Sequence, residues 1–177
     1  VQALTSNQLG AIDVLGSQLG QLSTKQVAAL TSTQLQSIGS DQIGSLTGTQ
    51  IKALSTAQIG AFSDTQVGNL TANQVRALSN TQVASFSSDQ IGAFASTQIQ
   101  ALNTSQIQAL STAQVAALSD EQVGALLNGQ VSAFRSDQVG ALNSDQIASL
   151  STAAIAALTT AQVRGLGSAQ LQSLSET

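Results

Sequence analysis

Aliphatic residues recur along this chain at a fixed interval of eight. Leu22, Leu30, Ile38, Leu46, Leu54, Phe62, Leu70 and Leu78 open one series, which runs on through Phe86, Phe94 and Leu102 to Leu174. A second series includes Val27, Leu35, Ile43 and Ile51 and ends at Leu171. Directly before each of its members stands a Gln, from Gln26, Gln34 and Gln42 to Gln170, broken only at Ala154. Ala or Ser precedes most of the Leu residues, as at Ala29, Ser37, Ala53 and Ala117. The unit is Leu, Ser/Thr, x, x, Gln, Val/Ile, x, Ala. Its phase slips once, between Ile12 and Leu22, which places two extra residues near Asp13 and Val14.

One continuous helix is a poor host for this unit. Eight residues advance about 800° at 100° each, so the Leu stripe would wind round the helix by about 80° per unit. Repeats of seven or eleven suit supercoiled helices; eight does not. The many Ser, Thr and Gly residues also weaken a long helix.

A run of very short helices fits better. In Leu22-Ser-Thr-Lys-Gln-Val, Ser23 stands at an N-cap and Gln26 three places on. That spacing predicts a capping box, in which the hydroxyl accepts from the Gln amide and the Gln side chain reaches back to the cap amide. Leu22 and Val27 flank the box as a hydrophobic staple, which sets the angle of chain entry. Most cap slots hold Ser or Thr, Asn fills Asn103 and Asn143, and Gly fills Gly39 and Gly167. Ala95, Leu127 and Arg135 break the rule and predict weaker caps.

The sparse charges agree with this placement. A helix dipole favours acids in the first turn and bases in the last. Asp41, Asp64, Asp89, Asp120, Glu121, Asp137 and Asp145 follow a cap slot by one or two places. Lys52, Arg76 and Arg164 follow the Val/Ile position, near the helix end, while Lys25 and Arg135 are exceptions.

The predicted fold is therefore all-α: a solenoid of short capped helices, one per octad, over a single array spanning residues 1–177. Each helix is too short to stand alone in water. Stacking buries a shared core of Leu and Val/Ile, as in other repeat proteins. At a central position such as Leu110, Leu→Ala should cost about 2–5 kcal/mol. The Gln side chains, aligned along the array, could also bond neighbouring backbone groups. A β-solenoid is the competing fold, since Val, Ile and Thr favour strands. Against it, Leu and the following Val lie five apart, on opposite faces of a strand. Low-complexity disorder is the third reading; regularly spaced aliphatic pairs speak against it.

Composition narrows the chemistry. Charged residues make up only 8% of the chain, so Ser, Thr, Asn and Gln must carry solubility. The net charge of −4, with five Lys plus Arg and few aromatics, argues against a nucleic-acid partner. The chain has no Cys and no His, so ordinary zinc, haem and iron–sulfur sites cannot be built from it, and no cofactor is expected. Nor can a Ser nucleophile find an imidazole base. Asp120–Glu121 is the one adjacent carboxylate pair, and both fit helix N-terminal positions. Asp13, Asp41, Asp64 and Asp89 are scattered rather than clustered as a calcium loop needs. Gly44, Gly60, Gly68, Gly92, Gly124 and Gly140 recur after Val/Ile, which suits close packing rather than a phosphate loop. No catalytic, cofactor-binding or metal site is expected, and no apolar run approaches the length of a membrane span.

Units such as Ala53-Leu-Ser-Thr-Ala-Gln-Ile and Ala109-Leu-Ser-Thr-Ala-Gln-Val resemble the octapeptide arrays of very large bacterial secreted or surface proteins of adhesin-like or haemagglutinin-like type. The resemblance covers nearly the whole chain. It implies extracellular or cell-surface exposure and a stalk, spacer or adhesive role, and it carries over no functional residue. The expectation is a non-enzymatic structural segment, a piece of a longer polypeptide. The partners in view are the array itself, by end-to-end or lateral assembly into filaments, or a cell-surface glycan or protein. A repeat module binding glycan, peptide or ice is the further alternative, motivated by the variation at Lys52, Arg76 and Arg135.

Overall fold

The computed structural model describes residues 19–174. After a 3₁₀ turn at Leu19–Gln21 come nineteen α-helices of four to seven residues, and the described residues contain no strand. The all-α reading holds and the β-solenoid does not. The physical reason lies in the caps. At Ser55 the backbone is extended (φ −71°, ψ 162°) and the hydroxyl accepts from the Gln58 amide. Leu54 just before it is also extended (φ −70°, ψ 143°). Two successive extended residues thus break one helix and aim the chain at the next. C-cap residues such as Ala61 stay right-handed (φ −84°, ψ −7°), so these ends need no left-handed glycine. The phase slip expected near Asp13 and Val14 lies outside the described residues.

The chain divides into two compact units, Val1–Ala93 and Phe94–Thr177. The first holds α1 (Thr24–Ala28), α2 (Ser32–Gln36), α3 (Ser40–Ile43), α4 (Gly48–Ala53), α5 (Thr56–Gly60), α6 (Asp64–Gly68), α7 (Ala72–Ala77), α8 (Asn80–Ala84) and α9 (Ser88–Gly92). Each helix packs on the one three places along. The result is three stacks, α1 on α4 on α7, α2 on α5 on α8, and α3 on α6 on α9.

The second unit repeats the scheme. It holds α10 (Ser96–Ala101), α11 (Thr104–Ala109), α12 (Thr112–Ala116), α13 (Asp120–Gly124), α14 (Asn128–Ala133), α15 (Ser136–Gly140), α16 (Ser144–Ala148), α17 (Thr152–Ala156), α18 (Thr160–Arg164) and α19 (Ser168–Leu174). Its stacks are α10, α13, α16 and α19; α11, α14 and α17; and α12, α15 and α18.

Both aliphatic series line the interior of each unit. Ile51, Val83, Ile107 and Val123 are fully buried, and Leu54, Phe62, Leu110 and Leu118 nearly so. The four Phe residues occupy Leu slots and are buried like them. Val163 and Leu171, in the last two helices, are partly uncovered. Val/Ile and Leu stand five places apart across a cap, so each short helix contributes one aliphatic residue from its body and one from its end. Within a helix the Val/Ile and the Leu that ends it are three places apart, on one face, and the bend at the cap turns the next such pair onto the same core. That couples the local cap to the shared core.

Candidate functional site

The feature repeated in every turn is a buried glutamine. Gln50, Gln66, Gln74, Gln82, Gln106, Gln122, Gln138 and Gln146 are all buried polar residues in an aliphatic interior. Among the described residues no buried side-chain nitrogen or oxygen lacks a hydrogen bond. An unpaired buried amide would cost about 1–3 kcal/mol per group, so the bonds matter.

Gln82 shows how they are divided. Its Oε1 accepts from the Ser79 backbone amide at 2.8 Å, closing the capping box of its own helix. Its Nε2 donates to the carbonyls of Ile51 at 3.0 Å and Leu54 at 2.7 Å, which lie 31 and 28 residues back. The Ile51 carbonyl also accepts from Leu54 N at 3.1 Å in its own last turn, whereas the Leu54 carbonyl lies just past the helix end, where the helix has no donor for it. One side chain therefore closes the N-terminus of one helix and the C-terminus of the helix four places earlier, where the chain enters the helix it packs on. Gln66 and Gln74 repeat this in the first unit, and Gln130, Gln138 and Gln162 in the second. The capping half follows from spacing. The cross-turn half has a trace in the sequence too, because capping uses only the carbonyl of the amide and leaves two N–H donors to place.

Where the cap residue deviates, half the box survives. Gly39, Ala95, Leu127 and Arg135 make no side-chain cap bond. Gln42, Gln98, Gln130 and Gln138 still accept from those four cap amides. At Ala154 the loss is on the other side: Ser151 caps the helix, but no Gln reaches back.

The residue after Val/Ile sits where turns approach each other. A Cβ on Gly124 would lie 3.0 Å from the Ser149 carbonyl, and on Gly140 2.8 Å from that of Gly165. Gly60 and Gly68 face the carbonyls of Ser85 and Ala93 in the same way. Two larger residues in this slot use the neighbouring carbonyl as an acceptor. Gln100 Nε2 donates to Ala125 O at 2.9 Å, and Ser132 Oγ to Ala157 O at 3.1 Å. The close-packing role expected of these glycines is what the structure gives at Gly60, Gly68, Gly124 and Gly140.

The charged residues lie at the surface, with the acids in first turns as expected. Asp120 and Glu121 both occupy the first turn of α13 and are exposed. Asp41, Asp64 and Asp89 sit on three different helices. No group of three or more metal-ligating side chains occurs among the described residues. Arg135 does more than fail as a cap. Its guanidinium grips Asp137 through two bonds of 3.1 Å and also donates to the Gln108 carbonyl. That hydrogen-bonded guanidinium holds the Asp137 carboxyl below the usual carboxylate range.

A shallow groove of about 550 Å³ runs between α4 and α7, lined by Thr47, Thr49, Lys52, Arg76 and Ser79. Arg76 bonds Asn73 on its own helix at 3.0 Å. Lys52 and Arg76, singled out by their departure from the repeat, are thus brought together across one stack.

These features define an all-α repeat solenoid whose turns are tied by glutamine. The chain belongs to the ALTTAQ repeat family, whose repeat matches it at residues 17–48, 45–72, 72–104, 96–128, 125–152 and 147–176. Each match is 28–33 residues long and overlaps the next, somewhat more than the three octads that make one turn of the solenoid. Each family match therefore spans a turn and part of the following octad, and the octad is one helix within it. A search of curated proteins finds no match to the chain. No helix among the described residues is long and apolar enough to cross a membrane.

Proposed function

We propose that this chain is a non-catalytic structural segment, a stalk, spacer or adhesive scaffold, of a secreted or cell-surface bacterial protein. The observation that carries the reading is the Gln ladder. Every turn offers carbonyls that the next turn's Gln side chains can bond, so turns can be added without new interactions. A stack of this kind gains stability turn by turn. No described unit departs from the pattern to gather side chains for chemistry. Arg135, the largest departure, spends its guanidinium on a carboxylate and a backbone carbonyl. The bacterial surface setting rests on the likeness of the octads to the arrays of large secreted proteins.

The test is length. Versions carrying one and two additional copies of residues 47–70, three whole octads and so one turn, are compared with the chain itself by electron microscopy. The expected result is a particle whose long dimension grows by the same step with each copy. A particle that swells in all directions would refute a spacer role. Fractionation of the source cells tests the location; recovery in the cytoplasm alone would remove the surface assignment.

A further inference from the structure

The charges are sorted by stack. In the first unit, Lys25, Lys52 and Arg76 belong to α1, α4 and α7, which form one stack. Asp41, Asp64 and Asp89 belong to α3, α6 and α9, which form another. The stack between, α2, α5 and α8, carries no charged residue. The second unit, taken by itself, is sorted too, with the order of the faces along the chain reversed. Asp120, Glu121 and Asp145 lie on α13 and α16 of one stack. Arg135 caps α15 and Arg164 ends α18 in another, where Asp137 is held by Arg135. The stack of α11, α14 and α17 is uncharged. All these charged side chains are exposed.

Helix dipoles explain where along a helix these charges sit, Lys25 and Arg135 excepted. They do not explain why bases choose one stack and acids another, since every helix has both ends. A surface that faces a partner would distinguish the stacks.

We infer that the chain associates side by side with a second copy of itself, the basic face of one lying on the acidic face of the other. Three features favour this occupant. The faces are complementary in sign. In the first unit they are also matched in spacing, because Lys25, Lys52 and Arg76 and the row of Asp41, Asp64 and Asp89 are built on the same turn. And the basic row has a seat: Lys52 and Arg76 border the groove between α4 and α7, with the hydroxyls of Thr47, Thr49 and Ser79 alongside. A carboxylate from the acidic row would find cations and donors there. A single exposed pair is weak, but a row of linked pairs multiplies. The contact joins unlike faces, so it does not close on itself and leads to sheets or bundles. The inference rests on the structural role proposed above but is tested apart from it: particle length reports that role, association reports this one.

The experiment is sedimentation velocity on the full chain over a range of concentrations at about 0.05 and 0.5 M salt. Association at low salt, weakened at least about tenfold at high salt, is expected. Two neutral variants follow: Lys25, Lys52, Arg76 and Arg164 changed to Gln, and Asp41, Asp64, Asp89 and Asp145 changed to Asn with Asp120→Asn and Glu121→Gln. Each should be monomeric, with the circular dichroism of the parent. The decisive arm reverses charge, the bases to Glu in one variant and the acids to Lys in the other. Each reversed variant should be monomeric alone and should associate when the two are mixed. A parent that stays monomeric at low salt overturns the inference. So does association that survives neutralisation, or reversed variants that ignore each other. Polyglutamate is the control for a different occupant: binding to the basic face of a chain that remains monomeric without it would assign that face to an acidic polymer instead.

Discussion

The side-chain amide of Gln74 donates to the backbone carbonyl of Leu46 at 2.7 Å across 28 residues of chain. The same amide accepts from the Thr71 cap N–H at 2.6 Å through its oxygen. Only a carboxamide fits both partners, because it carries an acceptor and a two-hydrogen donor on one planar group. This is why Gln, and not Glu, holds the slot, although Glu serves equally well in an isolated capping box.

Gln74→Glu tests that distinction with almost no change of shape. One carboxylate oxygen can still accept from Thr71. The other meets the carbonyls of Ile43 and Leu46, both within 2.7 Å of the present nitrogen. Two buried acceptors facing an anion raise its pKa in the folded state. Below the ordinary Glu value of about 4.3 the neutral acid donates one bond and the variant is nearly as stable as the parent. As pH rises through that value the unfolded chain ionises first, and stability is progressively lost until the folded group ionises too. Urea unfolding at neutral pH should show a loss of about 2–4 kcal/mol, recovered in acid. A loss independent of pH would mean that Nε2 does not matter.

Ala154→Gln is expected to stabilise the protein. Ala154 is buried in the Gln column, and Ser151 caps the helix without a Gln side chain on its own amide. Counting 28 residues back leads to Leu126, whose carbonyl would be the acceptor in this register. Restoring two bonds should add about 1–2 kcal/mol. Thermal denaturation decides, and a lower midpoint would show that the turns around α17 have closed on the missing volume.

Much of the fold is legible in the residues, and the reason is local. Ser55, Gln58 and Ile59 define a cap, a return bond and a core position within five places, so each helix end follows from spacing alone. The number of helices per turn does not follow, because it depends on how far the chain turns at Leu54 and Ser55, and those extended dihedrals have no residue of their own that marks them. Once Gln82 is seen to reach Leu54, just before α5 on which α8 packs, the three-octad turn is fixed, and the two spare N–H groups of Gln are the sequence trace of it. Arg135 is legible as a poor cap and as a departure from the repeat, not as a partner of Asp137. Its bonds to Asp137 and to the Gln108 carbonyl need the neighbouring turn in place. The sorting of Lys52 and Arg76 against Asp64 and Asp89 is invisible until the turn length is known, since an octad treats every helix alike.

Two glycines separate backbone freedom from close approach. Gly129 has nothing within 4 Å of an added Cβ, whereas Gly140 would meet the Gly165 carbonyl at 2.8 Å. Both are helical. Gly129→Ala should gain about 0.5–1 kcal/mol from the reduced entropy of the unfolded chain. Gly140→Ala forfeits that gain by pushing two turns apart and should lose about 1–3 kcal/mol. Equilibrium unfolding of the two variants side by side would expose the error if both moved the same way.

Arg135→Ala removes a contact that no other described cap position makes. The Gln138 return bond to the residue 135 amide persists, because it involves only backbone on that side. What is lost is the paired grip on Asp137 and the bond to the Gln108 carbonyl. The Asp137 carboxyl, now held below its ordinary range chiefly by the Arg135 hydrogen bond, should rise towards it. A depressed folded-state pKa adds stability that is present above the unfolded value and lost as pH falls through the folded one. The variant should therefore lose less stability than the parent on acidification through the carboxylate range. Both side chains are largely exposed, so salt should shrink the difference. Nuclear magnetic resonance titration of the Asp137 carboxyl carbon, with and without Arg135, reads the shift directly. An unchanged midpoint would mean that the first turn of α15, rather than the guanidinium, sets the acidity of this residue.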